Sequence, residues 1–194
     1  MLWYVGSTIE VFHRQKLIRF MSLYLFLDLA SISLPLLFSF HPKIRFYKKW
    51  AAFVPALLIV GGIYLTWDII FTEIGIWRFN PRYLSGVYFL ELPLEEWLFF
   101  LCIPYACVFT HYVIQERLPS WKISEATYRL ISYVLIILLS LVTLIFIDRW
   151  YTAVNSLVTI IFIALTLRWR PSILSTFYVS FLFLVIPFLL VNGV

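Results

Sequence analysis

The segment Pro93-Leu94-Glu95-Glu96-Trp97-Leu98-Phe99-Phe100 sets two adjacent carboxylates at the mouth of a helix that otherwise reads as membrane-buried. A charged carboxylate near the bilayer centre costs on the order of 3 kcal/mol even on a lenient scale, so such a pair is by default read as a functional site. A structural reading stands beside it. Pro93 suits the first helical position, which puts Glu95 and Glu96 in the first turn, where the helix dipole favours anions without any chemistry. The chemistry on offer is acid/base work: of two carboxyl groups in one low-dielectric site, one can stay a neutral acid while its neighbour remains charged. Adjacent helical positions point about 100° apart, so the two need not face the same cavity.

Asp28, Asp68, Asn155 and Asn192 join the pair. With the helices assigned below, all six fall in the halves of their spans nearest one face, opposite the more basic loops. Convergence from five helices at similar depth predicts a shared polar pocket. Separate interfacial residues are the alternative, because spacing does not say which helices are neighbours.

The elements that must position these groups are membrane spans. Of 194 residues, 63% are hydrophobic and 13% charged, against about 25% charged in a soluble domain. Six stretches suit a hydrocarbon core of about 30 Å, which takes about 20 residues: near Phe20–Phe40, Ala51–Ile70, Pro93–Ile114, Leu130–Ile147, Tyr151–Leu167 and Ser172–Val191. The fold class is therefore an all-α integral membrane helical bundle of about six transmembrane helices. Pro35, Pro55, Pro104 and Pro187 lie inside four of them; kinks there either open space for a ligand or serve packing alone. Residues 1–20 form an N-terminal extension, unlike a signal peptide because charges from Glu10 to Arg19 occupy the place of its apolar region. Met21 is a candidate start.

The net charge of +5 comes from basic residues between the apolar runs, which speaks for membrane orientation and anionic headgroups and against nucleic acid. The loops after the first, third and fifth spans hold Lys43, Arg45, Lys48, Lys49, Arg117, Lys122, Arg129, Arg168 and Arg170. The other face holds Arg78, Arg82 and Arg149, with Arg14, Lys16 and Arg19 in the N-terminal segment. The positive-inside rule puts those three loops in the cytoplasm and the N-terminus outside, in a multi-pass cell-membrane protein. In a Cys102→Ala, Cys107→Ala background, an impermeant thiol reagent added outside is expected to label Ser85→Cys and spare Ser120→Cys. The reverse pattern would overturn the orientation.

A weak repeat is present. Asp28, a basic loop around Pro42, and Asp68 resemble Asn155, Pro171 and Asn192, but the first half continues into the acidic helix and the second stops at Val194. The division is 21–115 for a first repeat of three helices, 116–150 for a connecting loop and helix, and 151–194 for an incomplete second repeat of two helices. Between Phe71 and Leu92, a loop rich in Trp77, Phe79, Tyr83, Tyr88 and Phe89 is either an aromatic belt or a lid offering ring faces to a cation. His13, His41 and His111 are too dispersed for a di-iron centre, and no glycine-rich dinucleotide fingerprint occurs, so neither metal nor cofactor is expected. No lysine lies within a span, which removes a retinal Schiff base.

Several stretches together carry a resemblance: Tyr24 to Phe40 with Asp28, the run Trp67-Asp68-Ile69-Ile70-Phe71-Thr72 leading to Gly75-Ile76-Trp77-Arg78-Phe79-Asn80-Pro81, and Leu92 through Phe100. They are similar to the small integral-membrane lycopene cyclase domain, the type found as two-subunit cyclases in some bacteria and as fused repeats in other bacteria, archaea and fungi. The resemblance covers Met21 to Val194. It implies cyclisation of the linear carotene lycopene to β-rings without net redox change, and its Pro-x-Glu-Glu/Asp motif maps onto Pro93, Glu95 and Glu96. Related fused proteins continue past a stretch like Ile186 to Val194 into a last helix with a second acidic motif, the helix that the repeat also lacks. A homo- or hetero-oligomer would supply it.

On that resemblance Glu95 and Glu96 are the acid/base pair, with Asp68 and Asp28 as supporting carboxylates. Trp77, Phe79, Trp97, Phe99, Phe100, Asn155 and Asn192 are the candidate substrate contacts, their aromatic faces worth about 0.5–2 kcal/mol to a nearby cation. Two other readings stay open: a non-catalytic subunit whose polar cluster mediates helix association, and a proton-coupled transporter.

Overall fold

In a bilayer a backbone must satisfy its own N–H and C=O groups, so each long apolar run becomes a helix. The computed structural model describes residues 23–192. The expectations for the N-terminal extension and for a start at Met21 lie outside the described residues. Among those described, the helices are α1 (Leu23–Ser39), α2 (Trp50–Glu73), α3 (Leu94–Arg117), α4 (Glu125–Ile145), α5 (Trp150–Trp169) and α6 (Ser172–Asn192). Helices α2 to α6 are long and apolar enough to cross a membrane, and α1 is an apolar helix of 17 residues. The fold class is all-α, as expected. One two-stranded antiparallel sheet departs from it, β1 (Tyr88–Phe89) pairing with β2 (Leu92–Pro93). Pro35, Pro55, Pro104 and Pro187 all sit inside helices.

Helix α4 starts earlier than its apolar run. Ser124 caps it, its Oγ accepting the Thr127 N–H at 3.2 Å, and Glu125 pairs with Arg129 one turn on at 2.8 Å. These are first-turn devices that hydropathy does not register.

The chain forms two compact units, the first ending at Phe109 and the second beginning at Thr110, inside α3. In the first unit, α1 and α2 are joined by an elbow with a 3₁₀ turn, Phe46–Lys49. Phe46, only 2% exposed, plugs the elbow into an aromatic core, its ring edge-on to Tyr105 at 5.7 Å and Phe109 at 5.6 Å and tilted against Phe53 at 5.6 Å. Tyr105 also ties three helices by a donor chain. The Trp50 indole donates to the Tyr105 hydroxyl at 3.1 Å, that hydroxyl pairs with Ser39 Oγ at 2.6 Å, and Ser39 donates on to the Pro35 carbonyl at 2.7 Å. Each buried hydroxyl is thereby satisfied.

Pro93 is not the first helical residue. It closes β2 opposite Tyr88, and α3 begins at Leu94, whose N–H donates to the Val87 carbonyl at 2.9 Å. A proline is tolerated in so short a strand because its missing N–H interrupts no ladder of its own. Glu95 and Glu96 nonetheless lie in the first turn of α3.

In the second unit, α4 and α5 pack side by side across the short connection 146–149. Tyr178 of α6 pairs with buried Ser132 of α4 at 2.7 Å, and Ser180 of α6 with His111 Nδ1 at 2.9 Å. Trp121 stacks on Phe183 at 5.2 Å, and the Ile123 N–H donates to the Ser175 carbonyl at 3.2 Å.

Candidate active site

Three helices bring four carboxyl groups to one end of the first unit. Asp28 lies in the second turn of α1, Asp68 near the end of α2, and Glu95 and Glu96 at the start of α3. Chain direction reverses at the elbow and again at the hairpin loop, so these positions belong to the same end. Asp28, Asp68 and Glu95 are buried, at 4%, 6% and 1% exposure, and Glu96 is half-buried. Glu96 interacts electrostatically with Asp68, Asp28 and Glu95, and Asp28 does so with Glu95. Among the described residues no group of three or more His, Cys, Asp or Glu side chains is placed to hold a metal ion.

Glu95 and Asp68 are held differently. Glu95 Oε1 accepts the Ser85 backbone N–H at 2.6 Å, and Ser85 follows Leu84, buried at 3% exposure, so the loop is fixed where it meets the glutamate. Asp68 has the Trp77 side chain as a hydrogen-bond partner. The Trp77 indole N–H also reaches Thr72 Oγ1 at 3.2 Å, and that hydroxyl donates to the Asp68 carbonyl at 2.8 Å. The other carboxyl oxygen, Asp68 Oδ2, is buried without a hydrogen-bond partner. A buried acceptor left this way costs free energy and is a ready place for a proton or a ligand group.

The candidate aromatic contacts divide. Trp77 is half-buried beside Asp68, its ring 5.0 Å from that of Phe71. Trp97 is braced on the hairpin, its indole donating to the Phe89 carbonyl at 3.1 Å. Phe100 stacks on Tyr64 at 6.1 Å where Gly61 of α2 comes close to the Phe100 carbonyl, and Phe99 faces outward. Phe79 is half-buried in the loop. Asn155 belongs to the second unit, where its Nδ2 donates to the Tyr151 carbonyl one turn back at 2.9 Å. Asn192 ends α6, and its side chain lies outside the described residues.

Sequence reasoning missed Ser85, whose contribution is a backbone donor and leaves no mark on residue type. It also missed Tyr105 and the His111–Ser180 pair, whose partners are 66 and 69 residues away. Cys102, buried in α3, lies within electrostatic reach of Asp28.

The lycopene cyclase family model matches residues 21–114 and 148–194, well over half of the chain. The chain belongs to the lycopene cyclase family. That membership places it in carotenoid biosynthesis, with a lipophilic carotenoid substrate and a membrane around its apolar helices. All four carboxyl groups of this lycopene cyclase family member, and the loop that holds Glu95, fall within the first matched stretch. No curated protein and no solved structure matches the chain.

Proposed function

We propose that the chain cyclises the ends of lycopene to β-rings in the cell membrane by acid/base catalysis, with Glu95 and Glu96 as the acid/base pair and Asp68 and Asp28 as supporting carboxylates. The observation that carries this reading is the cluster of four carboxyl groups from three helices at one end of the first unit. Carboxyls that share a low-dielectric site do not all ionise together, so such a cluster keeps an acid beside a base.

The reaction asks for both. A proton is delivered to C2 of the terminal double bond, leaving a tertiary cation at C1. The C5=C6 bond attacks that cation and closes the ring, and loss of a proton from C6 restores neutrality. One proton enters and one leaves, so no electron carrier is needed. The buried Oδ2 of Asp68 suits the departing proton, and Trp77, already hydrogen-bonded to Asp68, acts as its positioning residue. Aromatic faces such as that of half-buried Trp97 would stabilise the cation by about 0.5–2 kcal/mol. The two stretches matched by one family model support the tandem-repeat reading, with 21–115 and 151–194 as its repeats.

The test is isotopic. In deuterated medium with unlabelled lycopene, an acid that equilibrates with solvent delivers deuterium, so each ring formed is expected to carry one deuterium at C2 by mass spectrometry. Rings without deuterium at C2 whose formation depends on net electron transfer would eliminate the mechanism.

A further inference from the structure

We infer that the β1–β2 hairpin is a membrane-interface anchor whose tip, Tyr88 to Leu90, rests in the headgroup and upper acyl region of the bilayer. The two strands have opposite surroundings. Leu92 and Pro93 are buried, whereas Tyr88 and Phe89 are 53% and 60% exposed. The tip residues, Leu90 and Glu91, have φ of 48° and 62°. Two-residue hairpin loops of this kind favour Asn-Gly, which adopts positive φ at little cost, while a leucine there is strained by its Cβ. Packing within the chain does not reward that strain, since Leu90 is 58% exposed. Val87 is exposed as well, so four consecutive apolar residues project from a loop. In water such a patch is a liability; against lipid it is an anchor.

The hairpin's attachment fixes its depth. Strand β2 runs directly into α3, a helix long and apolar enough to cross the membrane, and the Leu94 N–H bond to the Val87 carbonyl closes the hairpin on the first residue of that helix. The Trp97 ring meets that of Phe89 edge-on at 5.1 Å while its indole bonds the Phe89 carbonyl. The tip therefore stays within a few residues of a span end, the level at which Tyr and Trp collect in membrane proteins. Glu91, exposed beside Leu90, sets the limit of insertion, because a carboxylate belongs among headgroups and not in hydrocarbon. The lipid-facing surface of α3 thus continues onto β1. Nothing in this inference depends on the cyclisation chemistry.

The test uses the full chain with Cys102→Ala and Cys107→Ala, reconstituted in vesicles of phosphatidylcholine and phosphatidylglycerol. A nitroxide is attached at Leu90→Cys or, for comparison, at the exposed loop position Ser120→Cys. The ratio of collisions with dissolved oxygen to collisions with a water-soluble nickel chelate is expected to be at least about threefold higher at position 90. Equal ratios would mean that the tip lies in water. Protection from both reagents would mean that a protein surface or a second copy covers it. Either result overturns the inference. A second variant separates anchoring from turn formation: Leu90→Asn with Glu91→Gly gives the hairpin its preferred turn. With the nitroxide moved to Tyr88→Cys, that variant should unfold at an unchanged or higher temperature while the oxygen-to-nickel ratio falls at least about twofold. An unchanged ratio would show that Leu90 does not anchor the tip.

Discussion

Replacement of either Glu95 or Glu96 by glutamine is expected to cut ring formation at least about 100-fold while the helices still insert and fold, because glutamine keeps size and polarity but removes the proton that a general acid transfers. The geometry separates these two effects. In Glu95→Gln the side-chain carbonyl can still accept the Ser85 N–H that now lies 2.6 Å from Oε1, so the loop keeps its anchor. In Glu96→Gln a neutral amide of nearly the same size takes the place of a carboxyl that interacts electrostatically with Asp68, Asp28 and Glu95, so no charge is added to the cluster. A loss of activity in either variant therefore reports chemistry. Glu116→Gln, at an exposed position near the end of α3, is the control and should match the wild type. The measurement is product analysis in membranes that accumulate lycopene. Rings formed at the wild-type rate by both glutamine variants would sink the assignment.

Phe46→Ala should be the most destabilising single change in the first unit, by about 3–5 kcal/mol. Burial in place of lipid gains little, because lipid tails are as apolar as a core and only packing distinguishes the two. Phe46 is different because it sits in the elbow between two spans, where the alternative to burial is interfacial water. Its ring contacts Tyr105, Phe109 and Phe53, so truncation leaves a cavity lined by three rings and loosens the turn that carries Trp50 to the Tyr105 hydroxyl. Phe40→Ala, at a ring 56% exposed, should cost under about 1 kcal/mol. Thermal unfolding in detergent, followed by circular dichroism, compares the two. Equal losses would mean that the aromatic plug does not hold the elbow.

The residues legible in advance are those whose state depends on near neighbours. Apolar runs of about 20 residues leave the backbone no option but a helix, so α2 to α6 follow from composition along the chain. Glu95 and Glu96 precede such a run and follow a proline, which is enough to place them in a first turn. The start of α4 was less legible, because Ser124, Glu125 and Arg129 stabilise a turn by hydrogen bonds and charge that an apolar count ignores.

The all-α membrane class, the placement of the helices and the presence of carboxylates near their ends are readable along the chain, since each is set by interactions between residues a few positions apart. Which of those carboxylates are neighbours depends on how the helices pack. Asp28, Asp68, Glu95 and Glu96 meet because α1, α2 and α3 pack around the aromatic core at Phe46 and Tyr105, whereas Asn155 spends its amide on its own helix. Pro93 went to a strand and not to the helix because its pairing with Tyr88 spans a turn whose tip, at Leu90 and Glu91, adopts a backbone that local preference disfavours. Contacts between distant residues carry no spacing that a sequence can display; they are settled by how the side chains of the whole unit fit together.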